Sequence, residues 1–134
     1  MSLEIGTKAS IEYKVEDKDL AKNLQISAED NFPEVLATAR MVALMECSAA
    51  KILLPYLEEG QLSVGVEVNI KHLAPTLSGD VAVSTATFEG MEGKLYKFSL
   101  EVVDSAGVVG TGTHTRAIVT EERLMSGANK RVGK

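Results

Sequence analysis

The first candidate for chemistry is a carboxylate in the most apolar stretch of the chain. Glu46 lies within VLATARMVALMECSAAKILLPYL, residues 35–57, where apolar side chains fall on nearly every side of a helical wheel. A helix apolar all round is normally a buried one. An ionised carboxylate there loses hydration at a cost of roughly several kcal/mol unless it is paired or protonated. Such a group is kept with a partner, a proton or a task. Thr38 lies eight residues earlier on the same helix. That spacing sets the two side chains about 80° apart around the axis and ~12 Å apart along it, too far for a direct hydrogen bond. A third group or a ligand must lie between them, or one of the two must act in a neighbouring chain's site.

The two histidines are the other proton-transfer candidates. His72 sits at the end of the strand-like run VGVEVNIKHLAP, where functional groups collect at pocket rims. His114, inside GTGTHTRA, lies within a strand, where a lone histidine is more often structural or exposed than catalytic. Gly65 interrupts a β-branched run and marks a bulge or a close backbone approach. Cys47 has apolar neighbours and no base beside it, so it reads as a small packing residue.

The elements that must position these groups follow from periodicity. Residues 10–15 alternate as a half-buried strand, 17–24 suit a short helix, and 27–32 form a polar loop. Either Pro33 opens the long helix at its first turn or Thr38 caps it; Pro55 interrupts its end and Gly60 stops it. Beyond Gly60 the period changes to two. Val64, Val66, Val68 and Ile70 are expected on one face of residues 62–73, opposite Glu67, Asn69 and Lys71. Residues 79–89, 94–104 and 108–121 give three more strands, with a tight hairpin at 91–93. The layout is α+β: a long central helix wrapped by a curved antiparallel sheet, the hotdog arrangement. Its open sheet usually continues into a second subunit, so a homodimer is expected. Residues 1–126 are expected to form the single domain, and 127–134 a mobile tail carrying Lys130, Arg131 and Lys134.

Composition excludes several classes. A net charge of -5 argues against a nucleic-acid binder, which would show a basic face. Arg40, Glu46 and Lys51 interrupt the longest apolar run, so no membrane span is expected. MSLEIGTKAS lacks the apolar core of a secretory leader, and one cysteine cannot form an internal disulfide; both fit a reducing cytoplasm. No metal, dinucleotide or phosphate-loop pattern is present, since GTGTH lies in a strand with no helix after it.

Taken in order, FPEVLATARMVALMECSAAKILLPYLEEG, VGVEVNIKHLAPT and GTGTHTRAIV resemble the fluoroacetyl-CoA thioesterase family of hotdog proteins. The resemblance spans residues 32–119. It implies a catalytic set of Thr38, Glu46 and His72, with Gly65, Phe32 and Arg116 contacting substrate. It implies no cofactor, because coenzyme A is part of the substrate. The family enzyme gates its pocket with two phenylalanines; Phe32 matches one, but Glu29 stands at the other position. Cys47 stands where that enzyme has tryptophan. The resemblance therefore implies an acyl-CoA thioesterase with an unassigned acyl group, expected to be small because Phe32, Met41 and Met45 would crowd the pocket. In such an enzyme a desolvated Glu46 is a stronger base than a solvated one. Backbone near Gly65 can approach the developing oxyanion, and Thr38 either attacks or positions water. Two rivals are an acyl-thioester hydratase or dehydratase, which typically pairs histidine with aspartate, and a non-catalytic acyl-CoA binding or sensing module.

Overall fold

Helix α1 (Thr38–Leu53) lies across one face of a five-stranded sheet in the computed structural model, which describes residues 2–134. The strands are β1 (Lys8–Lys14), β2 (Gln61–His72), β3 (Val81–Glu92), β4 (Leu95–Asp104) and β5 (Gly107–Thr120), in the order β1-β3-β4-β5-β2. Every neighbouring pair is antiparallel. This is the expected hotdog arrangement. Met41, Met45, Ala49 and Ile52 recur at helical spacing and pack on Ala82, Ala86, Phe98, Leu100 and Val102. At Gly110 a Cβ would press on the Met41 sulfur, so the missing side chain lets α1 sit close to β5.

Only one stripe of α1 is covered. Val42, Ala43 and Leu44 are part-exposed and Cys47 is exposed, because a single five-stranded layer reaches around one side of the helix. The expectations of a helix buried on all sides and of Cys47 as a packing residue do not hold in the single chain. No helix among the described residues is long and apolar enough to cross a membrane.

The start of α1 differs from both sequence expectations. Ala37 is the N-cap and offers no side-chain bond, Thr38 is the first helical residue, and Pro33 lies before the helix in irregular backbone. The Thr38 hydroxyl is thus free of any capping duty. Pro55 falls in a single 3₁₀ turn (Leu54–Tyr56) that ends the helix. The short helix expected over residues 17–24 is two 3₁₀ turns, Asp17–Asp19 and Ala21–Asn23.

Strand β2 corrects the simple alternation. Gly65 pairs with Arg116 and Glu67 with Thr115, which leaves Val66 as an extra, bulged residue. The inserted residue flips the faces beyond it. Gly65, Val68, Ile70 and His72 share the face toward α1, while Val64 joins Glu67, Asn69 and Lys71 on the other. Without the bulge, Gly65 and His72, seven residues apart, would point to opposite sides of the sheet.

After β5 the chain turns into helix α2 (Glu121–Arg131), none of whose residues is buried. Its last residues, 127–131, belong to the segment expected as a mobile tail. Glu121 and Glu122 in its first turn and Lys130 and Arg131 in its last complement the helix dipole.

Candidate active site

Two clusters of polar side chains form, one at each end of the site-bearing half of α1. The first joins Thr38 to His72. Thr38 Oγ1 and His72 Nδ1 are 2.7 Å apart, across the gap between the first turn of α1 and the last residue of β2. The other ring nitrogen of His72, Nε2, is buried and has no partner. An orphaned imidazole nitrogen beside a bonded hydroxyl is poised to exchange a proton with a third group. Phe32, Val35, Leu73 and Pro75 help line the cleft around this pair, which holds about 390 Å³. A second, mostly apolar recess of about 690 Å³ adjoins it, lined by Leu24, Ile26, Phe32 and Thr38. Phe32 and Thr38 border both. Met41 and Met45, expected to crowd the pocket, are instead sealed in the core under the sheet.

The second cluster surrounds Glu46. Its carboxylate overhangs Gly65 so closely that a methyl group there would collide with Oε1. Arg116 Nη1 lies 4.0 Å from the same oxygen, the outer limit of an ion pair. Arg116 is 7% exposed, and its guanidinium is held by three hydrogen bonds. Its Nε donates to Ser63 Oγ (3.0 Å), Nη2 to the Ser63 carbonyl (3.0 Å) and Nη1 to His114 Nε2 (3.1 Å). His114 in turn donates from Nδ1 to the Glu67 carbonyl at 2.7 Å. Burial lowers the Arg116 pKa while the Glu46 carboxylate raises it; an arginine stays cationic regardless. The Glu46 side chain is 42% exposed, so in the single chain it is far less desolvated than its helical neighbourhood suggests.

Glu46 therefore does not join Thr38 and His72 within one chain. Thr38, His72 and Phe32 are brought together, and so are Glu46, Gly65 and Arg116, but the clusters are separated by the ~12 Å that eight helical residues span. Ser63 and His114 are the residues that sequence reasoning missed or passed over. The signal was present: Ser63 and Gly65 on β2, and His114 and Arg116 on β5, repeat at period two on strands that pair with each other.

A third network sets the position of Thr38. Asp19 is fully buried and accepts hydrogen bonds from Tyr13 Oη (2.7 Å), the Glu16 N–H (2.8 Å) and Arg40 Nε (2.8 Å). Its backbone carbonyl also accepts the Ala37 N–H, one residue before Thr38. Burial pushes the Asp19 carboxyl up, but these hydrogen bonds outweigh it and hold the pKa below the usual 3.8. A depressed carboxylate contributes stability above its unfolded value that is lost as pH falls through the folded one. Asp19→Ala is expected to lower unfolding free energy by about 3 kcal/mol at neutral pH. Its deficit relative to wild type should shrink below about pH 3.8. Urea titrations of both proteins across pH check this; an unchanged midpoint would show the network to be dispensable.

Comparison with known proteins places the chain in a family. The family model of the fluoroacetyl-CoA-specific thioesterase matches residues 15–122. The fluoroacetyl-CoA thioesterase of Streptantibioticus cattleyicolor is 30% identical over 124 residues, covering 91% of this chain and 89% of that protein. The solved structure of the fluoroacetyl-CoA thioesterase FlK superposes with a TM-score of 0.92 at 30% identity, over 97% of this chain and 98% of the other. A hot-dog-like protein from Thermanaerovibrio acidaminovorans superposes with a TM-score of 0.83 at 32% identity, over 97% and 93% of the two chains. With its fold and most of its length in agreement, the chain belongs to the fluoroacetyl-CoA-specific thioesterase family of hotdog hydrolases.

Proposed function

We propose that this protein hydrolyses a small acyl-CoA thioester at the Thr38–His72 cleft, with Glu46 supplied by a second copy of the chain. The observation that carries the reading is the 2.7 Å Thr38–His72 pair with its orphaned Nε2 at the rim of a cleft. Hydrolysis adds the hydroxyl of water to the acyl carbon and a proton to the departing coenzyme A sulfur. Glu46 takes the proton, either from water or from Thr38 as it attacks, and His72 hands a proton on. Gly65, with no side chain, is where the carbonyl oxygen meets backbone, beside the overhanging Glu46 carboxylate, and Arg116 adds positive charge there. Coenzyme A arrives as part of the substrate and no separate cofactor is invoked.

The homodimer in this reading is supported by β2, an edge strand with Val66 and Val68 exposed at 55% and 37%. Antiparallel pairing of two β2 strands centred near Val68 would lay Gly65 of one copy beside the partner's His72. Glu46, which overhangs Gly65, would then approach the other copy's Thr38–His72 pair. A cytoplasmic setting is part of the same reading, supported by the lone Cys47.

A small acyl group is supported by the cleft volume, near the lower end of ligand pockets, and by Phe32 at its wall. Thiol release from acyl-CoAs ranging from acetyl to long-chain should be fastest for the shortest members. A preference for long chains would overturn the size assignment. Stabilisation by acyl-CoA without turnover would favour the sensing module over the enzyme.

A further inference from the structure

We propose that His114 is a positioning residue for Glu46: as the neutral Nδ1–H tautomer it accepts a hydrogen bond from Arg116 and fixes the guanidinium against the Glu46 carboxylate. The inference rests on Glu46 being the proton acceptor of the proposed reaction. The tautomer follows from the partners alone. The Glu67 carbonyl can only accept, so Nδ1 carries the hydrogen; the Arg116 N–H can only donate, so Nε2 presents a lone pair. No other protonation state makes both bonds. An imidazolium would turn an N–H toward the guanidinium and place two cations 3.1 Å apart.

The surroundings enforce the neutral form. His114 is 1% exposed, its ring edge lies against Gly65, and the Phe98 ring of β4 packs on it at 6.3 Å between centroids. The charged and titratable groups around it are Arg116 on its own strand, Glu46 and Cys47 on α1, and Tyr96, which pairs with Arg116 from β4. The Glu67 side chain points to the far face of β2. Burial first, and then Arg116, push the His114 pKa below the ordinary 6.5, with the Glu67 carbonyl and Glu46 opposing.

The consequence reaches Glu46 through Arg116. Ser63 holds two guanidinium nitrogens and His114 holds the third, Nη1, which is the one facing the carboxylate. Removing the imidazole acceptor leaves the planar guanidinium held by Ser63 alone, so the whole group can tilt about that side and the carboxylate over Gly65 loses its fixed countercharge.

The chain has two histidines, so ¹⁵N-histidine labelling with His72→Gln leaves one imidazole to observe. The expected spectrum is that of an Nδ1–H imidazole that persists as pH falls below about 6.5. An Nε2–H tautomer, or titration at or above 6.5, overturns the proposal whether or not the protein turns over any thioester. Because the unfolded chain takes up the proton first, wild-type stability should be complete above about 6.5 and fall as pH drops below it. His114→Gln should lack that slope. Kinetically, His114→Leu should lower kcat about tenfold with KM changed less than about twofold, and His114→Gln, whose amide can donate and accept as the ring does, should recover most of the loss. Equal kcat in folded His114→Leu and wild type would reduce His114 to a packing residue.

Discussion

Glu46→Gln should lower kcat for acyl-CoA hydrolysis at least about 100-fold while leaving the fold intact, as removal of a general base does. The substitution keeps the shape of the side chain and its place over Gly65, and removes its charge and most of its basicity. No other carboxylate lies within 4.0 Å of Arg116 among the described residues, so none takes over as its countercharge. The loss should appear in kcat rather than KM, since a base acts on the transition state more than on substrate binding. Thiol release under saturating substrate, with circular dichroism as the control for folding, makes the measurement. A folded variant retaining kcat within about threefold of wild type would remove Glu46 from the chemistry and leave Thr38 and His72 to be explained without it.

The order of the long helix and the five strands, and the hotdog layout, could be read from periodicity, because the core-facing positions of α1 and most of the strands repeat cleanly; helix α2, with no buried face, left no such signal. What periodicity misplaced was the face of half of β2. A bulge adds one residue without changing residue types, so the valines at 64, 66 and 68 look like one row and are not. Gly65 signalled the irregularity, but only pairing with β5 shows that it carries Gly65 to the same side as His72. The exposure of Glu46 was misjudged for a related reason. A helical wheel reports which positions are apolar, and five strands cover only the stripe from Met41 to Ile52. The apolar remainder of α1 awaits a cover that the sequence does not identify. His114 was undervalued because a histidine within a strand says nothing by itself; its role depends on an arginine two residues later and a carbonyl on the neighbouring strand.

Mixing two inactive variants should restore activity. Thr38→Ala chains and Glu46→Gln chains, each nearly silent alone, are expected to give about a quarter of wild-type turnover when coexpressed in equal amounts, as a two-fold site shared between copies requires. In a mixed dimer one site combines both lesions, and the other combines an intact Thr38–His72 pair with an intact Glu46. The expectation stands on the separation of the two clusters along α1 and on the free β2 edge. Neither cluster is complete: one holds a hydroxyl and an imidazole with an unpartnered nitrogen, the other a carboxylate and a cation. Bending α1 to join them would break its helix, so union across a two-fold axis is the physically cheaper arrangement. Differently tagged chains, purified through both tags in succession, isolate the mixed species. Mixed dimers without activity would place Glu46 in its own chain's site through some rearrangement. A strictly monomeric protein in sedimentation that still turns over substrate would exclude the shared site altogether.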